Sequence, residues 1–342
     1  MRRTGNRFEQ IADRDNLRVA LHKALRGKRD RREARDFAAN LEANLRRIAD
    51  AFSARTLPVG RFHQFVIHDP KERIITAPCF EERVIHHAIM NVCEPVFERW
   101  LIDDTYACRV GRGRIRALSR AEQFAASRPF FLKLDIRKYF DSISQDVLLT
   151  RLARLFKERR LLALFERIVR RFRGQAGRGL PIGSLTSQHF ANFYLGWFDR
   201  FAKERLRVRG YVRHMDDMAL WGDSAGELRH VLTSAQTFIV DELGLSFKPW
   251  PYINRTECGM DFLGCRVFRR HLTLNRRSRM RFRRKLLALE GEFELGLISE
   301  RQLQTRCEAL VAFTRCGGVS SWQFRRGVLQ ELEVSGHEAR TG

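Results

Sequence analysis

The chain has 342 residues, 44% of them hydrophobic, with 64 Lys and Arg against 40 Asp and Glu for a net charge of +24. That apolar share excludes a disordered chain, and the length suggests two structural units at roughly 150 residues each. So large an Arg excess calls for a polyanion, nucleic acid first; a membrane surface is the rival, but no apolar run nears the ~18 residues of a span, and no apolar stretch follows the charged N-terminus MRRTGNRFEQ. The seven cysteines, at 79, 93, 108, 258, 265, 307 and 316, include no CxxC pair. They read as reduced, mostly core thiols of a cytoplasmic protein rather than a zinc or disulfide framework.

Asn16 is placed to cap a first helix carrying Leu17, Leu21, Ala24 and Leu25, ended by Gly27. After a basic connector, Phe37, Leu41, Leu45, Ile48 and Phe52 mark a second helix face. Phe65–Ile67 and Ile74–Ile75 read as short strands around the turn Asp69-Pro70-Lys71-Glu72, and a helix is expected over 81–100. Pro129–Leu134 reads as a buried strand leading into Asp135. Ser144 caps a helix facing Val147, Leu148, Leu152 and Leu155 inward, and the next stripe runs from Leu161 to Phe172. A glycine-rich loop, Gly174–Gly183, precedes a helix with Phe190, Phe193, Tyr194, Trp197, Phe198 and Phe201, a stripe better suited to core than to base stacking. Runs of five and four residues between Gly210 and Gly222 flank Asp216-Asp217, the pattern of a hairpin with an acidic tip. A helix near 225–243 and strands near 260–275 follow. In the tail, Arg276–Lys285 has seven basic residues in ten, and Ser299 with Gln302 forms a capping box.

Two carboxylates at a hairpin tip repel unless a cation joins them. Hard oxygen donors select Mg²⁺, with Mn²⁺ as a substitute. The dipeptide alone says little, since Asp103-Asp104 also occurs. An aspartate ending an apolar strand some eighty residues earlier changes that. Asp135, Asp216 and Asp217 together would hold two Mg²⁺ about 4 Å apart for in-line displacement at phosphorus, the arrangement of synthesis and of hydrolytic cleavage alike.

The chain resembles reverse transcriptases, and within them the enzymes of bacterial and phage diversity-generating retroelements. The resemblance rests on Asp69-Pro70-Lys71-Glu72-Arg73, Arg83–His87, Glu94-Pro95, Tyr106–Arg109 with Gly111-Arg-Gly113, the Asp135 strand, Gly179-Leu-Pro-Ile-Gly-Ser-Leu-Thr-Ser-Gln188, Phe190-Ala191-Asn192, the 216–217 hairpin and Phe262-Leu263-Gly264, in the family's order over roughly 10–330. It implies an α+β, right-hand polymerase fold: a helical N-terminal segment (1–60), a fingers–palm core with an antiparallel palm sheet (61–270) and a helical thumb with the C-terminal tail (271–342). The implied activity is RNA-directed DNA synthesis.

By the same resemblance Asp135 and Asp216 ligate the metals directly, Asp217 is the third acid, and Ile136 lends a backbone carbonyl. Lys71 and Arg73 grip the incoming triphosphate, Phe140 is the steric gate against a 2′-hydroxyl, and Ile182, Gly183 and Gln188 lie over the nascent pair. Lys248 helps protonate pyrophosphate, and Phe262, Leu263 and Gly264 form a primer grip. Arg276, Arg277, Arg279, Arg281, Arg283, Arg284 and Lys285 suit a thumb helix on the phosphates of a template–primer duplex. Ile182 stands where many reverse transcriptases carry glutamine, a feature linked to misincorporation opposite template adenines. Two positions depart from the family: His214 replaces a tyrosine, with a pKa expected near neutrality, and Ser184 replaces an asparagine. The implied partners are template RNA, primer or cDNA, deoxynucleoside triphosphates and a pentameric accessory variability protein, in a bacterial or phage-encoded system without membrane attachment. Two other readings stay open: a reverse transcriptase of phage defence or another retroelement, and a non-catalytic RNA-binding scaffold, against which the intact aspartates weigh.

Overall fold

The computed structural model describes residues 3–68, 72–172, 174, 177–317 and 320–330. In chain order the elements are α1 (Phe8–Ala12), α2 (Arg14–Leu25), α3 (Arg32–Ala39), α4 (Leu41–Ser53), β1 (Phe62–His68), β2 (Glu72–Pro78), α5 (Phe80–Trp100), α6 (Arg114–Ser127), β3 (Phe130–Asp135), α7 (Tyr139–Ser142), α8 (Gln145–Leu155), α9 (Arg159–Arg171) and α10 (Leu185–Arg200). Then follow β4 (Gly210–His214), β5 (Asp217–Gly222), α11 (Ala225–Leu243), β6 (Tyr252–Arg255), β7 (Met260–Phe262), β8 (Cys265–Val267), β9 (Leu272–Leu274), α12 (Arg276–Glu294) and α13 (Glu300–Thr314). The mixture of helices with sheets whose strands pair antiparallel is α+β, as expected, and consistent with a right-hand polymerase fold. Among the described residues no helix is long and apolar enough to cross a membrane. Two compact units interleave along the chain. One takes the chain up to Arg109 with 136–205 and 234–248; the other takes 110–135, 206–233 and the chain from Pro249 onward.

The first unit is mainly helical. Asp13, not Asn16, caps α2: its Oδ1 accepts from the amides of Asp15 (3.0 Å) and Asn16 (3.2 Å). Asn16 instead donates to the carbonyls of Ile11 and Ala88 and accepts from Asn91, tying α2 to α5. The single helix expected across 37–52 is broken at Asn40, whose φ of −119° and ψ of 45° leave helical space. Its face survives the break, with Phe37, Leu45, Ile48 and Phe52 buried and only Leu41 half-buried. On α10, Phe190, Phe193, Tyr194 and Phe198 are fully buried. Phe97 of α5 packs its ring 5.4 to 6.1 Å from those of Phe156, Phe190 and Phe193, so this stripe is core, as expected.

The second unit is built on a four-stranded antiparallel sheet in the order β4-β5-β3-β6. Leu132, Leu134, Tyr211, Arg213, Met218 and Leu220 alternate onto one buried face. The other face carries Phe131, Lys133 and Asp135 on β3, His214 on β4, and Asp217 and Trp221 on β5. A three-stranded sheet, β7-β8-β9, leads into α12. Asn275 caps that helix by accepting from the Ser278 amide, and Ser299 with Gln302 forms the expected capping box on α13.

Candidate active site

Strand register sets the carboxylates. Asp135 ends β3 directly opposite Asp217, the first residue of β5, and Asp217 is also opposite His214 on β4. Directly opposed side chains in such a pair stand roughly 5 Å apart, and like charges there destabilise the sheet. The turn between β4 and β5 is Met215-Asp216, so the hairpin tip is shifted by one residue from the acidic pair read in the sequence. Met215 takes a φ of +58°, a left-handed conformation costly for a residue with a Cβ. The fully buried Arg213 holds it there, donating from Nη1 to the Met215 carbonyl at 2.9 Å.

All three aspartates are half-buried. Lys133, two residues before Asp135 and on its face, makes an ion pair with Asp217 and lies 4.8 Å from the centroid of the Phe262 ring. Sequence reasoning missed it, although period-two alternation from Asp135 passes through the one charge inside an apolar strand. The donor set suits a hard divalent cation: two carboxylates share a face, a third follows on the turn, and an ammonium already compensates one of them. Among the described residues no three His, Cys, Asp or Glu side chains are gathered as a ready-made metal cluster. Burial first, and to a lesser degree the charges of Arg213 and Arg114, lower the His214 pKa from the ordinary imidazole value.

Of the expected primer-grip residues, Phe262 ends β7 and Leu263-Gly264 form the β7–β8 hairpin turn. Leu263 (φ +49°) and Gly264 (φ +81°) are both left-handed, as a two-residue hairpin of matching twist requires. A Cβ on Gly264 would meet Ser278 Oγ at 2.8 Å, and that hydroxyl donates to the Gly264 carbonyl at 2.7 Å. Arg114, also missed, donates from Nε to the Leu263 carbonyl at 2.7 Å. On α12, Arg276, Arg277, Arg279, Arg283 and Arg284 are exposed, while Arg281 and Lys285 are half-buried. Arg276 and Arg277 crowd the positive end of the helix, and 277, 281 and 285 repeat like charge at i,i+4.

The remaining positions belong to the first unit. Ile136 bridges Phe247, beside the exposed Lys248, and the Arg137 amide donates to the Ser246 carbonyl at 2.9 Å. Phe140 is half-buried, unlike the core rings, and its carbonyl accepts from Leu180 at 2.9 Å. The Ile182 carbonyl accepts from Thr76 of β2 at 2.7 Å. Gly183 has φ +116°, and a Cβ there would lie 2.8 Å from Ile75 Cγ2. Gln188 is exposed in the first turn of α10, and Arg73 is exposed on β2 opposite Ile67. Lys71 lies outside the described residues. Ser184 is fully buried with Oγ 3.2 Å from His86 Nδ1 and 3.0 Å from Thr186 Oγ1. His86 faces Glu82 at 3.5 Å, and Glu82 accepts from the Gly60 and Arg61 amides. The departure at 184 therefore sits in a buried polar chain fixing the loop to α5, a role that no local motif signals.

The family model described as reverse transcriptase (RNA-dependent DNA polymerase) matches residues 68–251, more than half of the chain. Nuclear intron maturase 1, mitochondrial, of Arabidopsis thaliana is 28% identical over 89 residues, 26% of this chain and 12% of the maturase. The apo telomerase of Candida tropicalis, truncated from its C-terminal domain, superposes with a TM-score of 0.50 at 12% identity, over 63% of this chain and 55% of that one. The Candida albicans telomerase in complex with a TWJ fragment of telomeric RNA gives 0.45 at 14% identity, over 75% and 55%. The chain thus spans about half of each telomerase and a small part of the maturase, and the superposition at 0.50 bears on the fold alone. By the family match over its central residues, the chain belongs to the reverse transcriptase (RNA-dependent DNA polymerase) family.

Proposed function

We propose that this chain is an RNA-directed DNA polymerase that extends a primer along an RNA template by deoxynucleotide addition. The observation that carries the reading is the placement of Asp135 and Asp217 opposite one another on one sheet face, with Asp216 on the adjoining turn. In this reading 1–60 is an N-terminal helical segment, 61–270 the fingers and palm, and 271–342 the thumb and tail. Asp135, Asp216 and Asp217 would hold two divalent ions, Mg²⁺ first, which when bound activate a primer 3′-hydroxyl and neutralise the leaving pyrophosphate. Lys71 and Arg73 supply positive charge to the triphosphate, and Lys248 supplies a proton to the departing diphosphate. Phe140 sets a ring against the 2′ position of an incoming sugar. The Leu263-Gly264 turn supports the primer strand, and the basic face of α12 takes duplex phosphates without reading sequence.

The Gly179–Gln188 pattern with Ile182 supports a narrower role in diversification. An apolar side chain at that position offers no hydrogen bond to the nascent pair, so discrimination relaxes, foremost opposite template adenine. In that setting the copied RNA becomes altered cDNA that replaces part of a target gene, with a pentameric accessory protein as partner. Both partners would be basic, so RNA bridging rather than charge attraction would join them. Primer extension on a defined RNA, with cDNA sequencing and errors counted by template base, tests both levels. The proposal expects cDNA whose errors concentrate at adenines. Even errors with full extension would leave a polymerase and remove the diversification role, and no RNA-dependent extension would remove both.

A further inference from the structure

Cys265 opens β8 directly after the Leu263-Gly264 turn, and Cys316 lies in the short 3-10 turn Arg315–Gly317 that follows α13. Their sulfurs are 2.9 Å apart. Arg114 Nη2 donates to both, at 3.4 Å to Cys265 and 3.2 Å to Cys316. The guanidinium is held on its other sides: Nε by the Leu263 carbonyl, Nη1 by the Phe313 carbonyl at 2.9 Å, and its Cζ lies 4.1 Å from the Phe313 ring centroid. A fixed cation against two touching thiols stabilises a thiolate. The two differ in access, Cys265 being fully buried and Cys316 half-buried. The hydrogen bond from Cys265, followed by the charge of Arg114, pushes the Cys316 thiol down, whereas Cys265 is pushed up. Cys79, Cys93 and Cys307, by contrast, are all pushed up by burial.

We infer that Cys316 and Cys265 are an attacking and a resolving thiol that hydrogen peroxide closes into an intramolecular disulfide beside the primer-grip turn. The Cys316 thiolate attacks one peroxide oxygen. The O–O bond breaks, giving Cys316 sulfenic acid and hydroxide, which takes up the proton released when Cys316 ionised. The Cys265 sulfur then attacks the sulfenic sulfur; the S–S bond forms, the S–O bond breaks, and the hydroxyl leaves with the Cys265 proton as water. Two thiols are oxidised by two electrons and one peroxide is reduced to two waters. The bond ties β8 to the end of α13. Any effect on primer extension rests on the polymerase reading above, whereas the thiol chemistry does not.

The test treats the reduced full-length chain with stoichiometric hydrogen peroxide and reads each cysteine by differential alkylation and peptide mass spectrometry. The expected result is joint loss of alkylation at 265 and 316, a linked 265–316 peptide, recovery with dithiothreitol, and reaction at least about tenfold faster than at the exposed Cys258. Cys265→Ser should strand Cys316 as a dimedone-trappable sulfenic acid, and Cys316→Ser should leave Cys265 alkylatable once the chain is denatured. Retention of both thiols while Cys258 oxidises would overturn the inference, as would Cys316 linked to any other cysteine. Equal melting temperatures confirm that the Ser variants are folded. Mass is the readout, so a chain with no polymerase activity would end the earlier reading and leave this one to the peptides.

Discussion

The β4-β5-β3-β6 sheet and the β1–β2 ribbon both carry residues that the proposed function uses, yet they are built on opposite terms. In the sheet, Asp135 and Asp217 stand on strands whose reverse face is buried and whose register allows no slip, because a shift of one residue would turn Leu132 and Leu134 outward. The ribbon has two strands only and leaves Phe65, Val66 and Ile74 at 51%, 48% and 58% exposure. Two strands alone are marginal, and exposed apolar groups on them mark a surface that something else covers. In the proposed reading, groups that meet the reacting atoms need the prior placement a sheet supplies, whereas groups that grip a substrate's charged tail tolerate an open ribbon.

That contrast breaks if a ribbon variant behaves like a sheet variant. Arg73→Ala should raise KM for deoxynucleoside triphosphate by roughly ten- to a hundredfold with an unchanged melting temperature, because Arg73 is exposed and its loss costs charge, not packing. Steady-state kinetics with a melt decides this; an unchanged KM would detach the ribbon from the substrate. Gly183→Ala sharpens the comparison at the join between β2 and the 179–188 loop. The positive φ and the contact with Ile75 should cost about 1–3 kcal/mol, seen in thermal unfolding, with a severalfold loss of incorporation. Wild-type stability in Gly183→Ala would mean the loop has room that the structure denies it.

Much of this was legible beforehand for a physical reason. Apolar alternation fixes a face, so the Asp135 strand, the 210–222 hairpin, the α10 core stripe and the Ser299 box all follow from spacing. Register is a pairwise property, and no single segment holds it. Hence the turn fell on Met215-Asp216 rather than on the acidic pair, and Lys133 was passed over until Asp217 stood beside it. Asp13 and Asn16 both have capping side chains, and contacts with Ile11, Ala88 and Asn91 occupy that of Asn16. The Glu82–His86–Ser184 chain joins residues a hundred apart, which local pattern does not reach.

A smaller effect is a dependence of stability on pH. Burial holds His87 and His189 of the first unit at about 4 against an ordinary 6.5, so both are neutral when folded, while the unfolded chain takes up their protons first. Stability is therefore full above about pH 6.5 and falls as pH drops toward 4, with His189 alone contributing roughly 3 kcal/mol at most. Urea melts at pH 7.5 and pH 5 should show this loss, and His189→Gln should flatten it. An equal midpoint at the two pH values would contradict the burial of these rings.

The account stands on the carboxylates of the sheet. Its most direct test is primer extension on heteropolymeric RNA with wild type, Asp135→Asn and Asp216→Asn at saturating Mg²⁺. It predicts a fall in incorporation of about a hundredfold or more for each variant, with template–primer binding and melting temperature retained. Incorporation by either variant at the wild-type rate would contradict it.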